Sequence, residues 1–252
     1  MVDFARVRDN EVGGEAAVTV EMVRHLRSHP LVGDSLQAAV GDKAWRGAHH
    51  RLMLQLGVLS VSPMPAAKKA RDGNPRVPKR STIGGSWHRA GQEKGEPVDI
   101  TLLDGHPHFR EVDVDGEIHD RLLERVQSKR KELRRSGSFT WYSVYAVPDD
   151  LGGGQVWLRH LSDNDDHKND KNREENLRVI SPYDPDYPAI HGRRQDSESL
   201  NDLIEQTNWK NRAHSYGDDR QFLDLFGLAM AMAVTTPEAY RRSQLRRRPA
   251  AA

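Results

Sequence analysis

The sequence predicts an α+β fold in which a small antiparallel sheet is flanked by N-terminal and C-terminal helical segments. Apolar side chains recur at helical spacing in residues 16–59 and 199–234, and they alternate with polar ones between turn residues in much of 98–181. Composition divides the chain into an N-terminal helical module (1–60), a basic Pro/Gly-rich linker (61–97), an α+β domain (98–182), and C-terminal helices with a basic tail (183–252).

Composition narrows the class of protein. Charged residues make up 30% of the 252 residues and hydrophobic residues 36%, so a globular protein with polar insertions is expected. The chain has no cysteine, which excludes disulfides, Cys-type zinc sites and thiol catalysis and suits a reducing, cytoplasmic compartment. The N-terminus lacks the apolar core of a signal peptide, and the most apolar segment, 222–234, is too short to cross a bilayer, so no membrane partner is expected.

The linker carries a block of basic residues although the net charge of the chain is only +1. Such a block suits an anionic partner, most often nucleic acid, and a solvated connection is the alternative. Trp87 and His88 lie among these residues, which would let a ring stack while the segment follows a phosphate backbone. The candidate contacts here are Lys68, Lys69, Arg76, Lys79 and Arg80.

Turns and alternation predict the elements of the α+β domain. Ile100 to Leu103 and Phe109 to Val114 are predicted strands around the turn Asp104-Gly105, and Phe139 to Val147 alternates as a strand should. Glu117 to Arg135 has an apolar stripe and a basic end, which predicts a helix. The basic end of that helix adds the candidate phosphate contacts Arg130, Arg134 and Arg135.

Residues 155–181 concentrate groups able to bind a metal and move a proton. An apolar run leads into His160, a polar loop follows, and a second apolar run closes the segment, which predicts strand, loop and strand. Imidazole can activate water near neutral pH, so His160 is a candidate general base. Asp163 and Asp166 are candidate ligands for a divalent cation, magnesium or manganese rather than zinc, that would stabilise charge on a phosphate.

At these residues the sequence resembles the HNH (ββα-metal) endonuclease family. Asn172-Arg-Glu-Glu-Asn-Leu-Arg-Val179 is similar to the second half of the family motif, and Arg159 to Asn164 is similar to the first half. The resemblance implies an HNH-like hairpin and a metal-dependent endonuclease that hydrolyses phosphodiester bonds in DNA, of a kind associated with phages or mobile elements. It implies His160 as general base and Asn176 as the residue that braces the loop.

The motif departs from the family pattern in ways that leave other assignments open. Arg159 stands where these enzymes usually place a metal-binding Asp or His. An alternative register uses the pair Asp166-His167 and makes His167 a catalytic candidate. Prolines replace the helix expected after Ile180, and His191 is the nearest candidate for the last ligand.

Two other function classes follow from these departures. One is a non-catalytic nucleic-acid-binding or defence-associated protein that keeps the basic segments and has a degenerate HNH-like loop. The other is a structural or assembly protein, in which 155–181 is a solvated hairpin loop with Asn172 and Asn176 capping turns.

Overall fold

The computed structural model describes residues 14–65, 77–169 and 171–194, except residues 42, 44 and 93. The chain divides into two compact units, of which residues 6–193 form the one considered below. This unit is α+β, with a curled antiparallel sheet and a few helices, so the predicted fold class is confirmed at this level. The predicted helices at 199–212 and 219–234 lie outside the described residues.

Seven strands form the main antiparallel sheet, and a separate pair, β1 and β2, is parallel. In chain order the strands are β1 (Ala38–Val40), β2 (Leu59–Val61), β3 (Arg80–His88), β4 (Glu96–Leu103), β5 (His106–Val112), β6 (Ile118–Leu122), β7 (Glu124–Glu132), β8 (Phe139–Ala146) and β9 (Gln155–Arg159). Across the main sheet the order is β6-β5-β4-β3-β9-β8-β7. β9, the last of these strands in sequence, therefore lies inside the sheet, between β3 and β8.

Five helices accompany the strands in the described part of the chain. They are α1 (Gly14–Ser28), α2 (Gly47–Gln55), α3 (Asn164–Lys168), α4 (Arg173–Asn176) and α5 (Tyr187–His191), with 3₁₀ turns at Gly33–Ser35 and Asp149–Leu151. The two N-terminal helices agree with the predicted helical module, although β1 and β2 were not expected there. Among the described residues, no helix combines the length and apolar character that a bilayer-spanning helix needs.

The predicted turn Asp104-Gly105 joins β4 to β5 as expected. Asp104 has φ +48° and Gly105 has φ +82°. Two central residues with positive φ are typical of the hairpin turn whose twist matches that of the strands. The predicted strand at 100–103 is the second half of β4, the one at 109–114 overlaps the second half of β5, and the one at 139–147 covers β8.

Part of the predicted linker is a central strand, which corrects its assignment as a connection. β3 pairs with β4 on one side and β9 on the other, and Ile83 is fully buried in the sheet core. Gly85, one of the glycines that suggested a break, instead allows close packing. A Cβ atom on Gly85 would lie 2.7 Å from Leu158 Cδ2, so a side chain at this position would collide with β9.

The predicted helix from Glu117 to Arg135 is wrong, because these residues form the edge strands β6 and β7. The apolar stripe that suggested a helix is largely exposed: Ile118 is 55% exposed and Val126 is 52% exposed. Pairing with β5 and β8 outweighs the local helical preference of this charged sequence. Charged side chains are common on edge strands, where they discourage pairing with other chains.

Helix α2 packs against the β7–β8 end of the sheet through polar as well as apolar contacts. Trp141 Nε1 donates a hydrogen bond to the Leu54 carbonyl at 2.8 Å, and Arg130 Nη1 donates to the Gly57 carbonyl at 2.6 Å. Leu54, Trp141 and Ile180 belong to one buried apolar cluster. The N-terminal helices are thus fixed to the sheet at its β8 side.

The segment after α4 is fastened to the sheet by buried polar contacts. His106 Nδ1 forms a hydrogen bond of 2.6 Å with Ser181 Oγ, and Nε2 of the same ring lies 2.8 Å from the Leu123 carbonyl. Asp184 is also buried and forms an ion pair with Arg125 of β7. These contacts link residues 181–184 to β5 and β7.

Candidate functional site

Residues 155–181 do not form the predicted strand, loop and strand. β9 ends at Arg159, two short helices follow, and the apolar run Leu177–Ile180 is not a strand. Leu177, Val179 and Ile180 are buried against the sheet core and α2. Burial accounts for the apolar run without strand pairing, and the HNH-like hairpin is not confirmed.

His160 lies just beyond β9 and is 1% exposed. Its Nε2 forms a hydrogen bond of 2.8 Å with Ser143 Oγ on β8, whereas its Nδ1 has no partner among the described residues. Burial, together with the positive charges of Arg173 and Arg125, lowers the pKa of His160 to about 3. The ring is therefore neutral at physiological pH and enclosed by protein in this arrangement.

Asp163 and Asp166 are held by backbone amides and two arginines. Asp163 caps α3 by accepting from the backbone of Asp165 and Asp166, and it forms an ion pair with Arg159. Asp166, which is buried, accepts from Arg173 Nε at 2.6 Å and from Arg159 Nη2 at 2.9 Å. We call Arg159, Asp163, Asp166 and Arg173 the ion-pair cluster.

The pKa values of both carboxyl groups follow from these contacts. The backbone hydrogen bond from Asp166 and the bond from Arg159 hold the pKa of Asp163 below its usual range. Burial alone would raise the pKa of Asp166, but the hydrogen bond from Arg173 and the other polar contacts outweigh it and lower the pKa. Both groups are ionised at neutral pH, with their charge balanced by arginine.

The residues predicted to bind a divalent cation do not fit that role here. Asp166 already receives two guanidinium groups, and Asp163 receives one together with two backbone amides. Within the described ranges, no three His, Asp or Glu side chains come together in a group that could hold a metal ion. His167 is exposed on α3, and His191 stacks on Tyr187 with ring centroids 4.8 Å apart.

The loop is braced by Glu174 and Ser162, which sequence reasoning missed. Glu174 Oε1 accepts from the Ser162 backbone at 3.0 Å, and Ser162 Oγ accepts from the Arg173 backbone at 3.0 Å. Asn172 Oδ1 caps α4 by accepting from the Glu175 backbone at 2.9 Å. The Asn176 side chain, expected to brace the loop, makes no hydrogen bond within the described part of the chain. A buried acidic side chain in so polar a stretch has no sequence signature that distinguishes it from a solvated one.

Several of the predicted phosphate contacts are engaged within the protein. Lys79 Nζ lies 3.6 Å from Glu175 Oε1, and Arg80 forms an ion pair with Asp120. The Arg130 guanidinium lies 4.8 Å from the Phe139 ring centroid as well as binding the Gly57 carbonyl. Arg134 and Arg135 are exposed between β7 and β8, whereas Lys68, Lys69 and Arg76 lie outside the described residues.

A second group of cations lies beside aromatic rings on one face of the sheet. Lys129 of β7 is opposite Tyr142 of β8, which is opposite Arg159 of β9. Residues directly opposite in an antiparallel pair share a face, and so do residues two apart on a strand. This face therefore also carries Lys131 and Trp157, and we call Lys129, Lys131, Tyr142 and Trp157 the basic–aromatic face.

The basic–aromatic face combines exposed charge with partly exposed rings. Lys129 and Lys131 are exposed, and Lys129 Nζ lies 5.0 Å from the Trp157 ring centroid. The His88 ring of β3 also lies beside this indole, with ring centroids 5.2 Å apart. Trp87, by contrast, points to the core and donates Nε1 to the Gly153 carbonyl, so it is not placed to stack on a ligand.

The two parts of the candidate site therefore differ in whether their charges are paired within the protein. The ion-pair cluster satisfies its own charges, and the basic–aromatic face presents lysines that form no ion pair within the described residues. Comparison of the chain with protein-family models, curated proteins and solved structures found no match.

Proposed function

We propose that this is a non-catalytic nucleic-acid-binding protein that contacts its ligand through the basic–aromatic face. The observation that carries the proposal is that two exposed lysines share one face of the sheet with Trp157 and Tyr142, and that Lys129 lies beside the Trp157 ring. Lysines attract the phosphate backbone and aromatic rings stack on bases, and proteins that bind single strands combine these two features.

The geometry favours a single-stranded ligand over a duplex. Lys129 and Lys131 are two residues apart on a strand, so their backbones are about 7 Å apart and both side chains leave the sheet on the same side. Bases can stack on Trp157 or Tyr142 only when they are not already enclosed in a duplex. Base–aromatic stacking contributes about 1–3 kcal/mol per base, which makes the rings as important as the charges.

In this proposal the HNH-like segment has a structural role. The ion-pair cluster fixes the end of β9 and the loop after it, because Arg159 and Arg173 both bind Asp166. Arg159 lies on the same face as Trp157, two residues away along β9. Holding its guanidinium in the cluster keeps that edge of the basic–aromatic face in place.

Replacing both Lys129 and Lys131 with Gln is expected to weaken binding of a fluorescently labelled single-stranded oligonucleotide by about tenfold or more. Each lost phosphate contact should also reduce the slope of log affinity against log salt by about 0.7. Fluorescence anisotropy at several salt concentrations measures both quantities. Replacing Arg24 and Lys43 with Gln removes the same charge from the N-terminal part and is expected to leave affinity nearly unchanged.

The metal-dependent DNA endonuclease predicted from the HNH resemblance is the competing function. His160 Nδ1, which has no partner among the described residues, is the observation that favours it. Supercoiled plasmid incubated with the protein in magnesium, manganese or EDTA distinguishes the two. We expect no nicking under any of these conditions; cation-dependent nicking that is lost in His160→Gln would establish the endonuclease instead.

A further inference from the structure

β6 is an open edge of the main sheet. In the described part of the chain its only neighbour in the sheet is β5. An unpaired strand edge presents N–H and C=O groups that a further strand can bind. Apolar side chains are exposed at the same place: Ile118 and Leu122 of β6, and Val112, which is opposite Ile118 on β5. This edge therefore offers both backbone groups and apolar surface to a partner strand.

The hydrogen bonds to β5 determine which backbone groups of β6 point outward. At the end of β6, Leu123 N donates to the Pro107 carbonyl at 3.1 Å. Bonded pairs recur at every second residue of an antiparallel ladder, so the backbone groups of Arg121 and His119 also point toward β5. The outward-pointing N–H and C=O groups belong to the three other residues of the strand, Ile118, Asp120 and Leu122.

The charged side chains of β6 are balanced within the chain, in contrast to those of β7. The Asp120 carboxylate forms ion pairs with Arg80 and Arg110, and Arg121 Nη2 lies 3.1 Å from Asp150 Oδ2. On β7, the exposed lysines of the basic–aromatic face form no ion pair within the described residues, and they would repel the same lysines of a second copy. Of these two edges, β6 is therefore the one suited to pair with a copy of itself.

We propose that β6 pairs with β6 of a second copy of this chain, antiparallel and with Asp120 at the two-fold axis. In this register the outward backbone groups of both strands face each other as bonded pairs. Ile118 of each copy lies opposite Leu122 of the other, so the contact is self-complementary, as a two-fold axis requires. The two Asp120 carboxylates meet at the centre, where Arg80 and Arg110 of each chain balance their charge.

This pairing is distinct from the basic–aromatic face and does not depend on the function proposed above. The contact is centred on one strand of five residues. It therefore falls at the small end of protein interfaces, and we expect a weak dimer with a dissociation constant on the order of 100 µM.

Sedimentation velocity from about 10 µM to about 1 mM tests the pairing in the wild type and in Ile118→Lys and Leu122→Glu. We expect the wild type to pass from monomer to dimer over this range. Each variant alone should dimerise about tenfold or more weakly, because a charge then faces an apolar side chain at both ends of the contact. Leu31→Lys, which changes an exposed leucine in the N-terminal part, should dimerise like the wild type.

An equimolar mixture of Ile118→Lys and Leu122→Glu tests the register. The introduced lysine of one copy then lies opposite the introduced glutamate of the other, and the second end keeps its apolar pair. We expect the mixture to dimerise more strongly than either variant alone. Amide hydrogen exchange of the wild type identifies the strand, since exchange of the Asp120 amide should slow as the protein concentration rises.

Four results would overturn the proposal. They are a wild type that stays monomeric up to about 1 mM, dimerisation that neither variant weakens, a mixture that dimerises no better than the single variants, and an Asp120 amide that exchanges slowly even at the lowest concentration. The last result would show that another segment of the same chain covers β6. If the variants do not fold, the concentration dependence of the wild-type Asp120 amide decides.

Discussion

Acidification from about pH 7 to about pH 5 is expected to lower the free energy of unfolding by about 5 kcal/mol. Three buried histidines cause this, since burial lowers the pKa of His50 to about 2, of His106 to about 4 and of His160 to about 3. The unfolded chain takes up these protons near pH 6.5, the usual value for histidine, whereas the folded protein does not. The stabilisation that these three histidines contribute is therefore fully present above about pH 6.5. It is lost as the pH falls from there toward the pKa values of the folded protein.

The size of this effect is comparable to the whole stability of a typical domain, about 5–15 kcal/mol. Each histidine contributes about 1.4 kcal/mol per pH unit within the window. His108 acts in the same window, because its pKa is also lowered. Asp184 adds to the loss only at lower pH, because its carboxyl pKa is lowered from 3.8 and the unfolded chain takes up that proton only near this value. The protein should unfold in mild acid.

Urea denaturation across this pH range gives the free energy of unfolding at each pH. Its dependence on pH measures the number of protons that the chain takes up when it unfolds. His160→Gln keeps a polar partner for Ser143 and is expected to reduce the uptake on unfolding by about one proton. His167→Gln changes an exposed ring on α3 and should leave the pH dependence as in the wild type. A free energy of unfolding that does not change between these pH values would contradict the buried, neutral state of the three rings.

Asp166→Ala is expected to destabilise the protein by about 3–5 kcal/mol. The substitution leaves Arg173, which is 7% exposed, with an uncompensated charge, and it removes a partner of Arg159. Asp165→Ala on the same helix is the matched control, because Asp165 is exposed and pairs only with Lys168 among the described residues. Changes at such surface positions are usually within about 0.5 kcal/mol.

A double variant separates charge burial from general damage to the loop. Asp166→Ala combined with Arg173→Met removes both members of the buried pair and should recover part of the lost stability. Urea denaturation of the wild type, Asp166→Ala, Arg173→Met and the double variant provides the double-mutant cycle. The assignment fails if Asp166→Ala costs less than about 1 kcal/mol, or if the double variant is as unstable as the sum of the two single ones.

The sequence predicted the elements whose signals are local. Asp104-Gly105 specifies a hairpin turn by its backbone preferences alone, and the alternation in 139–147 matches a strand with one buried face. The region 117–135 could not be predicted in this way. Its apolar residues occur at helical spacing, but pairing along β5 and β8 decides its structure, and that pairing is between residues distant in sequence.

The candidate site was predicted only in part. The pattern from His160 to Asn176 indicated a close group of polar residues, and Asp163 and Asp166 do share Arg159 as an ion-pair partner. It could not show that Arg159 and Arg173 bind Asp166, because the identity of an ion-pair partner depends on the tertiary fold. Lys129 and Trp157 come together only through the register of three strands, which no local pattern contains.

Titration of the protein with a single-stranded oligonucleotide, comparing wild type with Trp157→Leu, tests the proposed interface most directly. We expect saturable, salt-sensitive binding by the wild type, weakened about 5- to 150-fold in Trp157→Leu, since stacking contributes about 1–3 kcal/mol per base. Tyr183→Leu, which changes an exposed ring elsewhere, should bind like the wild type. Equal affinity of wild type and Trp157→Leu would contradict the interface on the basic–aromatic face.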